Sequence, residues 1–410
     1  MTVSGYSDPL PSHLWHAGPL ALHITWFAGR LAEQGYAPFT THEKLRLVTH
    51  LSQWLQHQHV GADALDELSI DQFLAYRQQQ GRAPRHHRVT LRIFLKELRA
   101  AGMLPGPPRQ DSALDVLVHT FDHYLTSVRG LARITRAHYL PIVRRFLQEC
   151  FGTGPLVLHA LALHDVTQFL LRQATTVSPR RAQYIVSALR TFCRFLVQQG
   201  DMSADLAAAI PTVADWRLAT VPKALAPAQV TQLLQSCKQD HPTGQRDYTI
   251  VLLMARLGLR PGEVVAMTLD DLDWEEGTLL VRGKGGRRDR LPLPQDVGQA
   301  LATYLADVRP RCATRRVFLR MKAPQGGFAN SVAICTIVRR ALERAGLEPP
   351  CKGAHILRHS LATNLLHAGA SMVEISDVMR HRRPQTTEIY AKVDQAALGA
   401  LAQPWPGGVL

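Results

Sequence analysis

The segment HILRHSLATN (residues 355–364) decides how this sequence is interpreted. Residues three and four positions apart lie side by side on a helix, so His355, Arg358 and His359 would share one face. The leucines of the segment turn mostly elsewhere. Burying two imidazoles and a guanidinium together is costly unless an anionic group meets them. The segment therefore predicts a helix that presents a cationic face to an anion.

The bulk composition suggests what that anion is. The chain has 410 residues, of which 46% are hydrophobic and 20% charged, enough for two or three folded domains. Its formal net charge is +14. A protein this basic is typically matched to a polyanion, and nucleic acid is the first candidate. An anionic membrane surface is the weaker alternative, because the sequence has no basic amphipathic terminus and no apolar run of bilayer length.

The remaining bulk features concern the compartment. Six cysteines are scattered without any CxxC pair, which favours free thiols in a reducing compartment over a zinc ribbon or a redox motif. The N-terminal residues lack a basic segment followed by an apolar one, so no signal peptide is expected. We expect a cytoplasmic protein, associated with the nucleoid if the cell is bacterial.

Two breaks divide the chain. Residues 103–112 are rich in proline and glycine, and a second connection spans about 201–224. They predict an N-terminal helical domain (1–105), a second helical domain (113–200) and a C-terminal domain with its tail (222–410).

The first two segments resemble each other. IDQFLAYR (70–77) matches VTQFLLRQ (166–173) at an offset of 96, and LRIFLKELRAAG (91–102) matches LRTFCRFLVQQG (189–200) at an offset of 98. Any two leucine-rich amphipathic helices look alike, but the shared order and near-constant offset favour two diverged copies of one domain.

The third segment has a mixed pattern. A buried helix is predicted at 249–258, and Pro261 suits the first turn of the next helix. Residues 272–294 then predict three strands joined by glycine turns, with helices resuming at about 295–308 and 331–345. The fold class expected is mostly α with an α+β C-terminal domain that carries a small antiparallel sheet.

Side chains suited to phosphodiester chemistry are spread through this segment. Two arginines can grip the non-bridging oxygens and stabilise the charge of a five-coordinate transition state. A tyrosine can form a phosphodiester without a metal, and a histidine can serve as its base. A lysine on a hairpin can protonate the leaving 5′ oxygen. The candidates are Arg260, Lys284, His355, Arg358, His381 and Tyr390.

In their order and spacing these six residues resemble the tyrosine recombinase (phage-integrase) family. Lys284 follows Arg260 by 24 residues, His381 follows Arg358 by 23, and Tyr390 follows His381 by nine. The resemblance covers roughly 110–395. It implies helical, SAM-like DNA-binding domains before a catalytic domain.

The resemblance also implies a role for each residue. Tyr390 would attack a DNA phosphate to give a 3′-phosphotyrosine, while Arg260 and Arg358 hold that phosphate. Lys284 would be the general acid, His355 an acid/base, and His381 a hydrogen-bond donor to the phosphate. Glu263 and His359 match supporting positions that orient Arg260 and the helix.

Three features depart from the family pattern. The family usually has glycine where this chain has Arg380, which would either add a phosphate contact or crowd the turn. Ala226 replaces the usual Ser/Thr cap before Pro227. The first repeat, about 20–102, lies outside the core pattern, and the sequence leaves open whether it binds DNA or protein.

Some of these residues also fit other kinds of site. His355 and His359 have zinc-binding spacing, but Arg358 on the same face would repel the ion, so no metal site is expected. The glycines near Lys284 form a turn and no nucleotide-binding loop, so no cofactor is expected. Basic runs are more often solvated than DNA-reading; the candidate DNA contacts are Arg180, Arg181, Gln183, Tyr184, Arg287 and Arg288.

The sequence therefore predicts a site-specific DNA recombinase of the integrase or transposase type. It would act on duplex DNA as a tetramer on two sites, with its C-terminal tail docked on a neighbouring protomer. Two alternatives remain at this stage: a type IB topoisomerase-like enzyme that relaxes DNA, and a DNA-binding regulator that has lost the reaction.

Overall fold

The computed structural model describes most of the chain, namely residues 18–81, 85–106, 112–202, 206–214, 221–283, 286–383 and 386–393. One compact unit lies within residues 107–219, and the other combines residues from 1–106 with residues from 220–410. The tail beyond Val393 and its predicted docking lie outside the described residues. The three-domain division stays a prediction.

The first segment is helical, as its periodicity predicts. Its helices are α1 (Ala21–Glu33), α2 (Pro38–His57), α3 (Glu67–Gln79) and α4 (Arg85–Ala100). They enclose an apolar core to which α2 contributes Leu47, Leu51 and Leu55 at helical spacing.

The second unit repeats this order of helices. It contains α5 (Ala113–Ser127), α6 (Arg133–Phe151), α7 (Leu163–Ala174), α8 (Pro179–Gln199) and the short α9 (Leu206–Ala209). Ser178 caps α8 by accepting a hydrogen bond from the Arg181 backbone N–H, and Pro179 occupies its first position.

The aligned residues of the two segments have matching environments. Phe73 in α3 and Phe169 in α7 are each 1% exposed, and Phe94 in α4 and Phe192 in α8 are fully buried. The same offsets of 96 and 98 residues thus relate core positions of both segments. This correspondence supports the proposal that the segments are diverged copies.

The third segment adds the small sheet. Helices α10 (Pro227–Gln235), α11 (Pro242–Leu257) and α12 (Pro261–Ala266) precede strands β1 (Leu272–Asp273), β2 (Thr278–Arg282) and β3 (Arg288–Pro292). The sheet order is β1-β2-β3 and both pairings are antiparallel. The mostly α fold with a small antiparallel sheet is confirmed.

The last helices complete the C-terminal core. They are α13 (Gln295–Thr303), α14 (Val332–Arg344), α15 (His355–His367) and α16 (Met372–Val378), followed by a 3₁₀ segment at Glu388–Val393. Helix α15, which contains the opening HILRHSLATN segment, packs against α11. Its Ile356 and Leu357 are buried, and the Ser360 hydroxyl accepts a hydrogen bond from the Leu225 backbone N–H.

A glycine after α11 allows the chain to turn close to α15 and α16. Gly258 has φ +58°, and a Cβ placed there would lie 2.8 Å from the Met379 methyl and 3.2 Å from a Leu361 methyl. Glycine alone adopts such a conformation without steric cost. The two constraints together explain why this position is glycine.

We expect Gly258→Ala to lower the free energy of unfolding more than Gly277→Ala. Gly277 has the same φ, but a Cβ there meets nothing within 4 Å. The control should therefore cost about 1–2 kcal/mol from backbone strain alone, and Gly258→Ala should add about 1–3 kcal/mol from overpacking. Thermal and urea unfolding measure both; equal losses would contradict the packing argument.

Candidate active site

Arg260 is fixed at the start of α12 by a single carboxylate. The Glu263 Oε2 accepts a hydrogen bond from the Arg260 backbone N–H at 2.8 Å, and its Oε1 accepts one from Arg260 Nη1, also at 2.8 Å. Pro261 begins the helix, as predicted. Glu263 is buried, whereas the Arg260 side chain remains 36% exposed. The guanidinium is therefore oriented and still accessible to a ligand.

Arg358 lies deeper, on α15. It is 4% exposed, and its two terminal nitrogens donate to the carbonyl oxygens of Gly258 and Met379. Burial lowers its pKa to about 10, assisted by Arg260 and Arg380. Arg358 therefore stays charged at neutral pH in a pocket that is already cationic.

Arg380 is a third guanidinium of this cluster. It is buried, with φ +53°, and its Nη2 donates to Glu263 Oε2 at 3.0 Å. Its Nη1 donates to the Leu257 carbonyl at 3.3 Å, while its own carbonyl accepts from Arg260 Nη2 at 3.5 Å. The sequence predicted that Arg380 would either contact a phosphate or crowd the turn. Its side chain instead turns inward and holds the Glu263 carboxylate.

The Tyr390 hydroxyl lies 2.9 Å from His359 Nδ1. The Tyr390 ring also stacks parallel to the His381 ring, with centroids 6.5 Å apart. His381 Nδ1 is 2.8 Å from the Thr387 hydroxyl, which orients the imidazole. Burial raises the pKa of Tyr390, and Arg358 opposes that rise. The phenol is thus held protonated beside a possible proton acceptor.

Both histidines that flank the phenol favour the neutral form. Burial lowers the pKa of His359, with further contributions from His355 and Arg358. Burial also lowers the pKa of His381, to about 4, together with Arg358, Arg260 and other cations nearby. A neutral imidazole can accept a proton, and this is the state that a base for the phenol requires.

The structure brings most of the predicted catalytic set together. Arg260 is held by Glu263, and Arg358 bonds the Met379 carbonyl two residues before His381. His359 and His381 both contact Tyr390. His355 begins α15 one turn before His359 and is exposed. Lys284 lies outside the described residues, so its role stays a prediction.

The β2–β3 hairpin borders a cavity of about 370 Å³ that reaches His381 and Arg380. Arg287 and Arg288 also line it, and both are exposed. Arg287 pairs with Asp289 at 2.6 Å, a contact that solvent weakens. These two predicted DNA contacts therefore lie beside the cluster.

In the other unit, the predicted DNA contacts at the start of α8 differ in how exposed their side chains are. Arg180, Arg181 and Tyr184 are exposed. Gln183 is partly buried and donates from Nε2 to the Val213 carbonyl at 3.0 Å. This amide has a structural partner, and its role in reading DNA stays a prediction.

The sequence missed two contacts in the cluster. The family resemblance predicted that His359 supports the helix, whereas its Nδ1 lies beside the Tyr390 hydroxyl. The i, i+4 relation of His359 to His355 can be seen in the sequence. The position of Tyr390 relative to them cannot. Arg380 drew attention as a departure from glycine. Its pairing with Glu263 joins residues 117 positions apart, which no local pattern indicates.

Two other kinds of feature, a metal-binding cluster and a membrane-spanning helix, are absent from the residues that the structure describes. Among those residues, no group of three or more His, Cys, Asp or Glu side chains could hold a metal ion. No helix of the same residues is long and apolar enough to cross a bilayer.

Comparisons with known proteins identify the family. Residues 223–397 match the model of the phage integrase family. The chain is 42% identical over 395 residues to the putative integrase/recombinase y4rA of Sinorhizobium fredii (strain NBRC 101917 / NGR234), covering 95% of each protein. It is 32% identical over 304 residues to the tyrosine recombinase XerD of Mycobacterium tuberculosis, covering 70% of this chain and 94% of XerD.

Two solved structures share the fold. One is the XerH recombinase in a post-cleavage complex with palindromic difH, with a TM-score of 0.54, 19% identity, and coverage of 70% of this chain and 84% of XerH. The other is a lambda integrase tetramer bound to a Holliday junction, with a TM-score of 0.53, 17% identity, and coverage of 75% and 87%.

We expect Arg380→Gly to lower the free energy of unfolding by about 1–2 kcal/mol. Losing a buried hydrogen bond to a charged group costs about 1.5–3 kcal/mol, and glycine returns up to about 1 kcal/mol by relieving the positive φ. Urea denaturation measures the change. The same substitution in a Glu263→Gln background should cost less, because no buried carboxylate then loses a charged partner. Equal costs in both backgrounds would contradict the pairing.

The low pKa of His381 predicts a pH dependence of stability. Its ordinary value is 6.5 and its folded value about 4, so between these limits the unfolded chain binds more protons. The free energy of unfolding should therefore fall as pH drops from about 6.5 toward 4. His381→Asn should make that decline shallower, as measured by melting temperature against pH. His119→Asn, on an exposed face of α5, is the control substitution.

Proposed function

The chain belongs to the phage integrase family and is a tyrosine recombinase, an enzyme that breaks and rejoins DNA, and we propose that Tyr390 is its nucleophile. The observation that carries this assignment is the hydrogen-bonded pair of Tyr390 and His359 set among Arg260, Arg358 and Arg380. The cluster contains an oxygen nucleophile, a proton acceptor and the positive charge that a phosphodiester needs.

The proposed step exchanges one phosphodiester bond for another. The Tyr390 oxygen attacks a backbone phosphorus, its proton passes to His359 Nδ1, and the bond from phosphorus to the 5′ oxygen breaks. The product is a 3′-phosphotyrosine and a free 5′ hydroxyl, whose proton Lys284 would supply. Rejoining reverses the step with the 5′ hydroxyl of a partner strand, so no external energy source is needed.

Arg260 and Arg358 would bind the phosphate before and during this step. Both guanidinium groups are fixed, by Glu263 in one case and by two carbonyls in the other, so little reorganisation is needed when charge develops. His381, held by Thr387, is suited to donate a hydrogen bond to a phosphate oxygen once it is protonated. The arriving anion favours that protonation by raising the imidazole pKa.

The phenol must become accessible before it can react. Tyr390 is 1% exposed and lies in the 3₁₀ segment Glu388–Val393. A phosphate cannot contact an oxygen that protein atoms cover on every side. Binding of DNA must therefore shift this segment or the side chains that cover it.

Among the alternatives, recombination is favoured over DNA relaxation and over a silent regulator. The relatives are described as integrases and recombinases, and the cluster is chemically complete apart from Lys284, which lies outside the described residues.

We further propose a tetramer on two DNA sites, since exchange between two duplexes requires four cleavages. A lambda integrase tetramer on a Holliday junction is one solved example of that arrangement. The cytoplasm is the expected location because the DNA substrate is there.

The test is recovery of DNA covalently trapped on the protein. Adducts isolated under denaturing conditions and sequenced should map to paired sites, and Tyr390→Phe should abolish them while DNA binding persists. Tyr304→Phe is the matched control, because Tyr304 is also fully buried but bonds the Leu319 backbone instead. It should retain adducts.

The His359 pairing adds a second readout. His359→Gln should slow adduct formation by about 10²–10⁴-fold, the typical contribution of a general base. Adducts mapped by peptide mass to a residue other than Tyr390 would refute the assignment. Unpaired adducts scattered over all sequences, together with relaxation of supercoils, would favour the topoisomerase alternative.

A further inference from the structure

The Glu263 carboxylate is divided between two arginines. Its Oε1 accepts a hydrogen bond from Arg260 Nη1 at 2.8 Å. Its Oε2 accepts one from the Arg260 backbone N–H at 2.8 Å and another from Arg380 Nη2 at 3.0 Å. Each carboxylate oxygen has two lone pairs, so these two bonds use the full capacity of Oε2. Arg260 therefore bonds this carboxylate through Nη1 alone and not through a two-pronged pair of nitrogens.

The division of Glu263 also decides how much charge Arg260 presents. Two guanidinium groups face one carboxylate, so the three groups carry one net positive charge. The side chains of Arg380 and Glu263 are 3% and 5% exposed, and solvent therefore screens their attraction little. Arg260 is the accessible member of the three. Arg380 thus offsets the carboxylate inside the protein, and Arg260 carries the surplus charge where a ligand can reach it.

Arg380 is fixed in this arrangement by several contacts. Its Nη1 donates to the carbonyls of Leu257 and Val378 at 3.3 and 3.4 Å, and its own carbonyl accepts from Arg260 Nη2 at 3.5 Å. Its φ of +53° is unfavourable for a residue with a side chain, and burying a guanidinium adds a further cost. Such a residue persists where its contacts offset these costs, and strain of this kind is often found at functional sites.

Glycine, the usual residue of the family at this position, would leave Glu263 to Arg260 alone. It would adopt the same φ without cost. Oε2 could then accept a second guanidinium nitrogen, in the two-pronged geometry that arginine and carboxylate groups favour. Arg260 would be held more tightly, but its charge would be cancelled and fewer of its N–H groups would face a phosphate.

We propose that Arg380 is a positioning residue, which competes for Glu263 and so keeps the charge and the remaining N–H groups of Arg260 available to the scissile phosphate. The inference rests on the proposed function, in which Arg260 binds that phosphate. Arg380 does not touch the substrate and acts through Glu263. Negative charge grows on the phosphate oxygens in the transition state, so the effect falls on the rate of bond exchange more than on DNA affinity.

The test measures covalent adduct formation on a nicked duplex that carries the site recovered by adduct sequencing. The rate at saturating duplex and the duplex concentration that gives half of it are both determined per folded molecule, with folding checked by thermal melting. Arg380→Gly and Arg380→Met remove the charge in two different ways, so a folding defect in one variant leaves the other. Arg380→Lys keeps the charge.

We expect both neutral variants to lower the saturated rate about tenfold, less than the roughly 10²–10³-fold loss that follows removal of a donor in direct contact with the transition state. The half-saturating concentration and the salt slope of DNA binding should stay close to those of the parent protein, because no phosphate contact is lost. Arg380→Lys should retain most of the parent rate.

A second substitution separates an effect of charge from a loss of structure. Glu263→Gln in the Arg380→Gly background removes the carboxylate that would otherwise cancel Arg260. This double variant should therefore form adducts faster than Arg380→Gly alone. Two structural defects in one site would instead make it no faster than that single variant.

Arg246→Met is the matched control. Arg246 is also buried, pairs with the buried Asp247 carboxylate at 2.6 Å and donates to the Leu319 carbonyl at 3.0 Å. Its loss should lower the free energy of unfolding, as the loss of Arg380 does. The saturated rate per folded molecule should stay at the parent value, because this pair has no contact with the Glu263 carboxylate.

Three results would overturn the inference. The first is a parent-like saturated rate in both neutral Arg380 variants, and the second is a double variant no faster than Arg380→Gly. The third is weaker DNA binding with a salt slope reduced by about 0.9, since Arg380 would then contact a phosphate directly. None of them touches the proposed function, which fails separately if the parent protein forms no Tyr390 adduct.

Discussion

The active site depends above all on the contacts of one buried arginine. Arg358 projects from α15 and donates to the carbonyls of Gly258 and Met379. Those residues precede Arg260 by two positions and His381 by two, so one guanidinium ties together the two segments that carry Arg260 and His381. Charged hydrogen bonds to carbonyls in a buried setting are strong and directional. The relative positions of Arg260 and His381 therefore follow from the position of α15.

The second constraint is electrostatic. Arg260 and Arg380 share the buried Glu263 carboxylate, while Arg358 is held by carbonyls. Three guanidinium groups thus lie near one carboxylate. Burial depresses the pKa values of His359 and His381, and neighbouring cations, Arg358 among them, add to the effect. Gathering this much positive charge is electrostatically costly, and the phosphodiester of the proposed function would offset that cost. Burial and this charge together favour neutral imidazoles, so His359 Nδ1 is able to accept the phenol proton in the proposed reaction.

The sequence predicted what local patterns determine. Helix periodicity located α2, α8, α11 and α15, and glycine turns located the hairpin. The resemblance to a known family, carried by order and spacing, pointed to Arg260, Arg358, His381 and Tyr390. It did not predict contacts that depend on where distant segments meet. Arg380 could be seen to replace a glycine, but its inward turn toward Glu263 depends on the approach of α12. The pairing of Tyr390 with His359 rather than His355 likewise depends on how the 3₁₀ segment lies across α15, and a difference of one helical turn is invisible in sequence.

The burial of Tyr390 has a consequence for control of the reaction. Desolvation raises the pKa of the phenol and Arg358 lowers it. While the side chain is buried, its ionisation is therefore disfavoured, and protein atoms keep a phosphate from contacting its oxygen. Exposing the side chain to an incoming phosphodiester removes the desolvation while the guanidinium charge remains, and both changes favour the nucleophilic form. In the proposed reaction, exposure and activation of the tyrosine would therefore be one event. An enzyme that leaves broken DNA attached to itself gains from this coupling, because cleavage then requires substrate in place.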